Sequence, residues 1–156
     1  MKDNFWKVRV SACICLGSVG PEPYEFIIEG LMRCLRDNSV NKVTVCESLM
    51  KLGQIGEELL LEILKTTNNS DFKLKEAIIF CLREASIKSS TIDYVIEEIF
   101  KNCKGTRQET RILCLETLNH LRLRSVQEEE EIIYLKAKSI LPFYYYFLED
   151  SVPQIR

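Results

Sequence analysis

Histidine is almost absent from this chain: His120 is the only one in 156 residues. A lone imidazole excludes a histidine pair for a metal and leaves little to build a histidine-based triad from. Leu118 and Leu121 beside it place it near the end of a core helix. Also missing is any run approaching the roughly eighteen apolar residues that a membrane helix needs. The start, Met1-Lys2-Asp3-Asn4, has no apolar signal core. These absences predict a soluble, intracellular protein, cytoplasmic or nuclear, with no membrane partner. Charge of one sign is lacking too. The balance of 21 Lys plus Arg against 23 Asp plus Glu leaves a formal charge of -2 and argues against a dedicated polyanion binder. Finally, the seven cysteines at 13, 15, 34, 46, 81, 103 and 114 include no Cys-x-x-Cys pair. Zinc wants about four suitably spaced ligands, so the cysteines read as small buried apolar residues in a reducing compartment. No motif asks for a metal or a cofactor.

What the chain does have is 46% apolar and 28% charged side chains, enough for one domain with a real core. Its organising stretch is Trp6 to Gly20, WKVRVSACICLGSVG. Val8, Ala12, Cys15, Leu16 and Val19 fall along one helical face, while Val10, Cys13 and Ile14 cover much of the other. The pattern predicts a helix buried between neighbours, stopped by Gly17 and Gly20 ahead of Pro21 and Pro23.

The stretch recurs. Leu52-Gly53-Gln54-Ile55-Gly56 answers Leu16-Gly17-Ser18-Val19-Gly20 at an offset of 53 minus 17, or 36. FKLKEAIIFCLREAS, from Phe72, is a third copy without the glycines, its helix expected to run on to about Ile87. TRILCLETLNHL, Thr110 to Leu121, is a fourth. Between the copies lie shorter stripes. Phe26, Ile27, Leu31, Cys34 and Leu35 form one, Leu59, Leu60, Ile63 and Leu64 another, and Ile92, Val95, Ile96, Ile99 and Phe100 a third. Ser90 with Asp93, and Ser125 with Glu128, have capping-box spacing, so helices are expected to start beside them. The second of these would pass the acidic run 128–131 and reach Leu148, kinked or broken near Pro142. Phe143, Tyr144, Tyr145, Tyr146 and Phe147 are read chiefly as packing against a further repeat.

Asp3-x-x-x-x-Val8-Arg9-x-x-Ala12, leading to Leu-Gly-x-Val-Gly, resembles the second helix of a HEAT repeat, in particular the short HEAT-like repeats first associated with phycobilisome lyases. Arg-equivalent positions 9, 45, 75, 111 and 156 are spaced 36, 30, 36 and 45, a mean of about 37 and near the period of two-helix repeats. The resemblance implies an all-α fold, an α-solenoid of stacked antiparallel helix pairs in a right-handed superhelix, HEAT/armadillo-like. Second helices are expected near 5–19, 40–55, 71–87 and 106–122, and first helices near 24–36, 57–66, 91–103 and 127–149. Residues 1–156 are thus one repeat domain. Asp150 to Arg156 repeats the spacing of Asp3 to Arg9, so the chain is expected to be a crop from a longer array whose adjoining repeats are natural partners.

Second helices line the concave face in that family. A polar strip there would comprise Lys7, Ser11 and Ser18, then Glu47 and Gln54, Lys73 and Glu84, and Glu109 and His120. Mixed signs suit a protein or peptide partner, and the expected function is a non-enzymatic protein-interaction scaffold. Two alternatives stand beside it. One is a lyase-like HEAT enzyme or accessory module. The other is a nucleic-acid-binding array using Lys73, Lys75, Lys88, Arg107, Arg111, Arg122 and Arg124, against which Glu84 and Glu109 on the same helices weigh.

Overall fold

The computed structural model describes residues 5–18, 24–68, 70–86, 92–104 and 107–127, and among them every regular element is a helix. The helices are α1 (Trp6–Ser18), α2 (Tyr24–Arg36), α3 (Lys42–Met50), α4 (Gln54–Thr66), α5 (Phe72–Leu82), α6 (Ile92–Cys103) and α7 (Gln108–Gln127). The described residues are therefore all-helical, in agreement with the expected all-α class.

Two kinds of helix alternate. In α2, α4 and α6 the apolar residues keep to one face: Ile27, Leu31, Cys34 and Leu35 are buried on α2, while Glu25, Glu29 and Arg33 on its other side are exposed. In α1, α3 and α5 apolar residues are spread around the circumference. Packing explains the contrast. α1 lies on α3, α3 on α5 and α5 on α7, so an inner odd-numbered helix has odd neighbours on both sides. Even helices pack across this row, α2 on α1 and α3, α4 on α3 and α5, and α6 on α4 and α7. A helix flanked on several sides must be apolar on several sides, whereas one laid over a row keeps a solvent face. The shared core includes Leu31, Val45, Leu49, Leu60, Ile78 and Leu118, all essentially inaccessible. Truncating such a leucine to alanine typically costs about 2–5 kcal/mol.

Helix starts follow local chemistry. The Asn41 side chain accepts a hydrogen bond from the Val43 N–H at 2.9 Å, and the Asp71 carboxylate accepts one from the Leu74 N–H at 3.3 Å, capping α3 and α5. The Lys42 ammonium donates to the carbonyls of Leu35 and Asp37, closing the carboxyl end of α2.

Several expectations need correction. Gly17 does not stop α1; it lies inside it, buried where α1 crosses α3, and a Cβ there would stand 2.9 Å from Ser48 Cα. Nor is α1 sealed on all sides. Val8 and Ile14 are about half exposed and Cys15 is exposed, because among the described residues α1 has an odd-numbered neighbour on one side only. The single helix expected over 40–55 is broken: α3 ends at Met50, Gly53 takes φ +67°, and Gln54 opens α4. α5 stops at Leu82 and not near Ile87, since its end is held from outside. Arg124 Nη1 donates to the carbonyls of Arg83 and Ala85 at 3.0 and 3.1 Å, and Glu57 Oε1 accepts from the Ser86 N–H at 2.7 Å. α7 continues through Ser125 to Gln127, where a new helix start was expected; no glycine or proline interrupts it. Phe26, counted with the apolar stripe of α2, is 74% exposed. The expectations for Gly20, Pro21, Pro23, Ser90, the run 128–131, Pro142, the tyrosine cluster and 150–156 lie outside the described residues.

Candidate functional site

The row of odd helices gathers chemistry at both of its ends. At the amino-terminal end of α3 and α5 there is an open groove of about 1090 Å³. Val43, Ala77, Phe80 and Leu113 give it apolar walls drawn from α3, α5 and α7. Asn38, Ser39, Asn41, Asp71 and Lys73, all exposed, form its polar rim. The rim exists because the α2–α3 turn folds tightly over the amino terminus of α3. Asp37 Oδ1 accepts from the Ser39 N–H at 2.9 Å and from its hydroxyl, while its other oxygen meets Arg9 Nε of α1 at 2.7 Å. Arg9 also donates to the Ser39 hydroxyl. Hydrogen bonds from Ser39, reinforced by the Arg9 charge, hold the Asp37 carboxyl below the usual carboxylate range.

On the far wall the Thr110 hydroxyl donates to Glu76 Oε1 at 2.8 Å, joining α7 to α5. Lys75, at the Arg-equivalent position of the third copy, is buried and donates to Asn102 Oδ1 of α6 at 3.1 Å. Arg9 and Lys75 thus do the same thing at equivalent places. Each ties an odd helix to the element 27 or 28 residues downstream, 37 minus 9 in one case and 102 minus 75 in the other.

The second cluster sits where α5 ends against α7. Glu84 faces His120 Nε2 at 3.5 Å and Arg124 Nη1 at 3.9 Å, with Arg83 Nε at 3.3 Å. A carboxylate, an imidazole and two guanidiniums thus cluster at this end of α5. No group of three or more His, Cys, Asp or Glu side chains among the described residues is placed to hold a metal ion.

The expected polar strip is divided between these places. Lys7 and Ser11 are exposed on α1, and the Ser18 hydroxyl donates to the Ile14 carbonyl at 2.9 Å. Glu47 is exposed on α3 and Lys73 on α5 within the groove rim. Glu109 is exposed on α7 with Arg107 Nε 3.4 Å away. Glu84 and His120 are brought together. Gln54 belongs to α4, not to the second helix of its copy, and donates to Glu58 at 2.9 Å. Of the basic candidates, Lys75 is buried, Arg124 is taken up in closing α5, and Arg107 lies over the Phe72 ring at 4.1 Å. Lys88 and the Arg122 side chain lie outside the described residues.

Asn38, Ser39 and Asn41 are not among the candidates read from the sequence: Asn38 and Ser39 fall between the helices expected near 24–36 and 40–55, and Asn41 falls inside the second. The signal was present: Asp37-Asn38-Ser39 has turn chemistry, and Asn41 immediately before an apolar run is an N-cap. Among the described residues no helix is long and apolar enough to cross a membrane. No family model, curated protein or solved structure matches the chain.

Proposed function

We propose that the chain is a HEAT-like α-solenoid, a right-handed stack of helix pairs, that binds an extended protein segment along its row of odd-numbered helices. The observation that carries the reading is the groove over α3, α5 and α7, with an apolar wall and a rim of amide, hydroxyl and mixed-charge groups. Apolar walls bind side chains; rim amides fix a peptide backbone. The serial packing of α1, α3, α5 and α7 with α2, α4 and α6 laid across it supports the solenoid part, as does the repeat spacing. Mixed charge favours a peptide over a polyanion: Lys73 is accompanied by Asp71 and Glu76, and two of the cations once counted for a basic surface are spent inside the fold. The role is that of a non-enzymatic scaffold.

The test is selection of peptides from a random display library on the full chain, followed by affinity measurement with two variants. Lys73→Glu changes an exposed rim residue and is expected to weaken selected peptides at least about tenfold. Charge reversal of Glu47, Glu84 and Glu109 together tests whether contact extends along the row. A library that yields no binder, or binders indifferent to both variants, overturns the proposal.

A further inference from the structure

Odd and even helices begin differently. In their first turns α2, α4 and α6 carry Glu25, Glu57 and Asp93, acids where the helix dipole favours them. α1, α3 and α5 have no acid there and carry Lys7, Lys42 and Lys73 instead. These starts lie at one end of the row. Arg9 of α1 reaches Ser39 just before α3, the groove is lined by the starts of α3 and α5, and Thr110 of α7 meets Glu76 of α5. A cation at a helix amino terminus opposes the dipole, and here it does so in three successive odd helices. Natural sequences break local preferences of this kind chiefly where function or strain demands it.

The charged side chains lining the groove sort in the same sense. Asp71 caps α5, Glu76 accepts from the Thr110 hydroxyl, and Lys42 donates to the Leu35 and Asp37 carbonyls. Behind the rim, Asp37 is held by Arg9 and Ser39. Of the charged groups lining the groove, only Lys73 has no hydrogen bond or ion pair among the described residues. It is exposed, and the same groove supplies the apolar wall of Val43, Ala77 and Phe80. The groove's carboxylates therefore already have partners in the fold, and its exposed ammonium does not.

We propose that the segment bound in this groove is acidic: it sets an aliphatic or aromatic side chain against Val43, Ala77 and Phe80 and pairs an Asp or Glu with Lys73. The inference rests on the peptide-binding reading above and adds the occupant's chemistry to it. Helix spacing gives the register. Packed helices lie about 8–10 Å apart, which sets the distance between Asn41 at the start of α3 and Lys73 at the start of α5. An extended chain advances about 3.4 Å per residue, so the residue whose backbone meets Asn41 and the acidic residue are about three positions apart, with the apolar anchor between them. Asn41 gives its side-chain oxygen to the Val43 N–H and keeps its NH2 group for a peptide carbonyl. A nucleic-acid strand fits less well. Asp71 and Glu76 flank Lys73 in the chain and would meet successive phosphates, whereas a single carboxylate meets the lysine alone.

The experiment selects from a random peptide display library on the full chain and on its Lys73→Glu variant, and sequences both pools. Wild type is expected to enrich Asp or Glu within about three residues of an apolar anchor, and Lys73→Glu to enrich Lys or Arg at that place. In the best wild-type peptide, replacing the acid by glutamine should weaken binding about threefold, and by lysine at least about tenfold. On Lys73→Gln the acidic and glutamine forms should bind equally, a test that stands if the charge reversal fails to fold. Selected peptides that shift the Val43 and Leu113 methyls but show no acidic preference overturn this inference and leave the peptide reading standing. A library without binders overturns both. A single-stranded DNA oligonucleotide that displaces the selected peptide at equal concentration also overturns it, since the occupant would then be a polyanion.

Discussion

Leu16-Gly17-Ser18 and Leu52-Gly53-Gln54 occupy the same register of two successive copies and fold differently. In the first, the helix runs through the glycine, which is buried against Ser48 of α3. In the second, the helix has already ended, and the glycine turns the chain at φ +67° with open space where a Cβ would stand. Three residues later Gly56 sits in the first turn of α4, pressed so tightly onto α3 that a Cβ would stand 1.9 Å from the Leu49 carbonyl oxygen. One motif thus serves a helix crossing, a left-handed turn and a close backbone contact. The difference teaches that one register can hold a helix crossing in one copy and a chain turn in the next, the close contact of the second copy lying three residues on at Gly56.

Substitutions sharpen or break this comparison, and the largest effect is expected at Gly56. Gly56→Ala must push α4 off α3, at a cost of about 3 kcal/mol or more by chemical denaturation. A near-wild-type midpoint would remove the close contact from the account. Gly17→Ala comes next. Its Cβ must displace the Ser48 backbone, a cost of about 2 kcal/mol, partly offset by the better helix propensity of alanine, worth up to about 1 kcal/mol. A stabilised variant would mean that Gly17 serves only to end the helix. Gly53→Ala meets no neighbour, so it should lose only about 1 kcal/mol for holding alanine at positive φ. A loss at position 53 as large as that at Gly56 would erase the distinction between open and crowded glycines.

The smallest effect concerns pH. The Asp37 carboxyl is held low in the folded chain by Ser39 and Arg9, so it favours folding above its ordinary value of 3.8 and ceases to do so as pH falls through its lowered folded value. Unfolding midpoints should therefore decline on acidification below about pH 5, and Asp37→Asn should flatten that decline. A variant with an unchanged acid profile would count against the pairing with Arg9.

The helical class was legible because it rests on local spacing. Ile27, Leu31 and Leu35, or Val95 and Ile99, declare a buried face in any context. Helix ends were less legible wherever tertiary groups decide them. Nothing near Leu82 announces a stop; the stop depends on Arg124, about forty residues away, and on Glu57. The groove was less legible still. Of the nine strip residues only Lys73 lines it, because most of its rim comes from the α2–α3 turn and its depth from the spacing of α5 and α7, neither of which is a property of a single helix. Glu84 and His120 were placed on one strip for their register, and their contact required α5 and α7 to lie side by side.

The central claim is that an extended segment lies along the odd row, and methyl-resolved NMR of the full chain titrated with a library-selected peptide tests it most directly. The account predicts shift changes at Val43, Ala77 and Leu113 around the groove, with the exposed side of α2 and α6 near Phe26 and Tyr94 unaffected. Changes confined to α2 and α6, with the groove methyls silent, would contradict it.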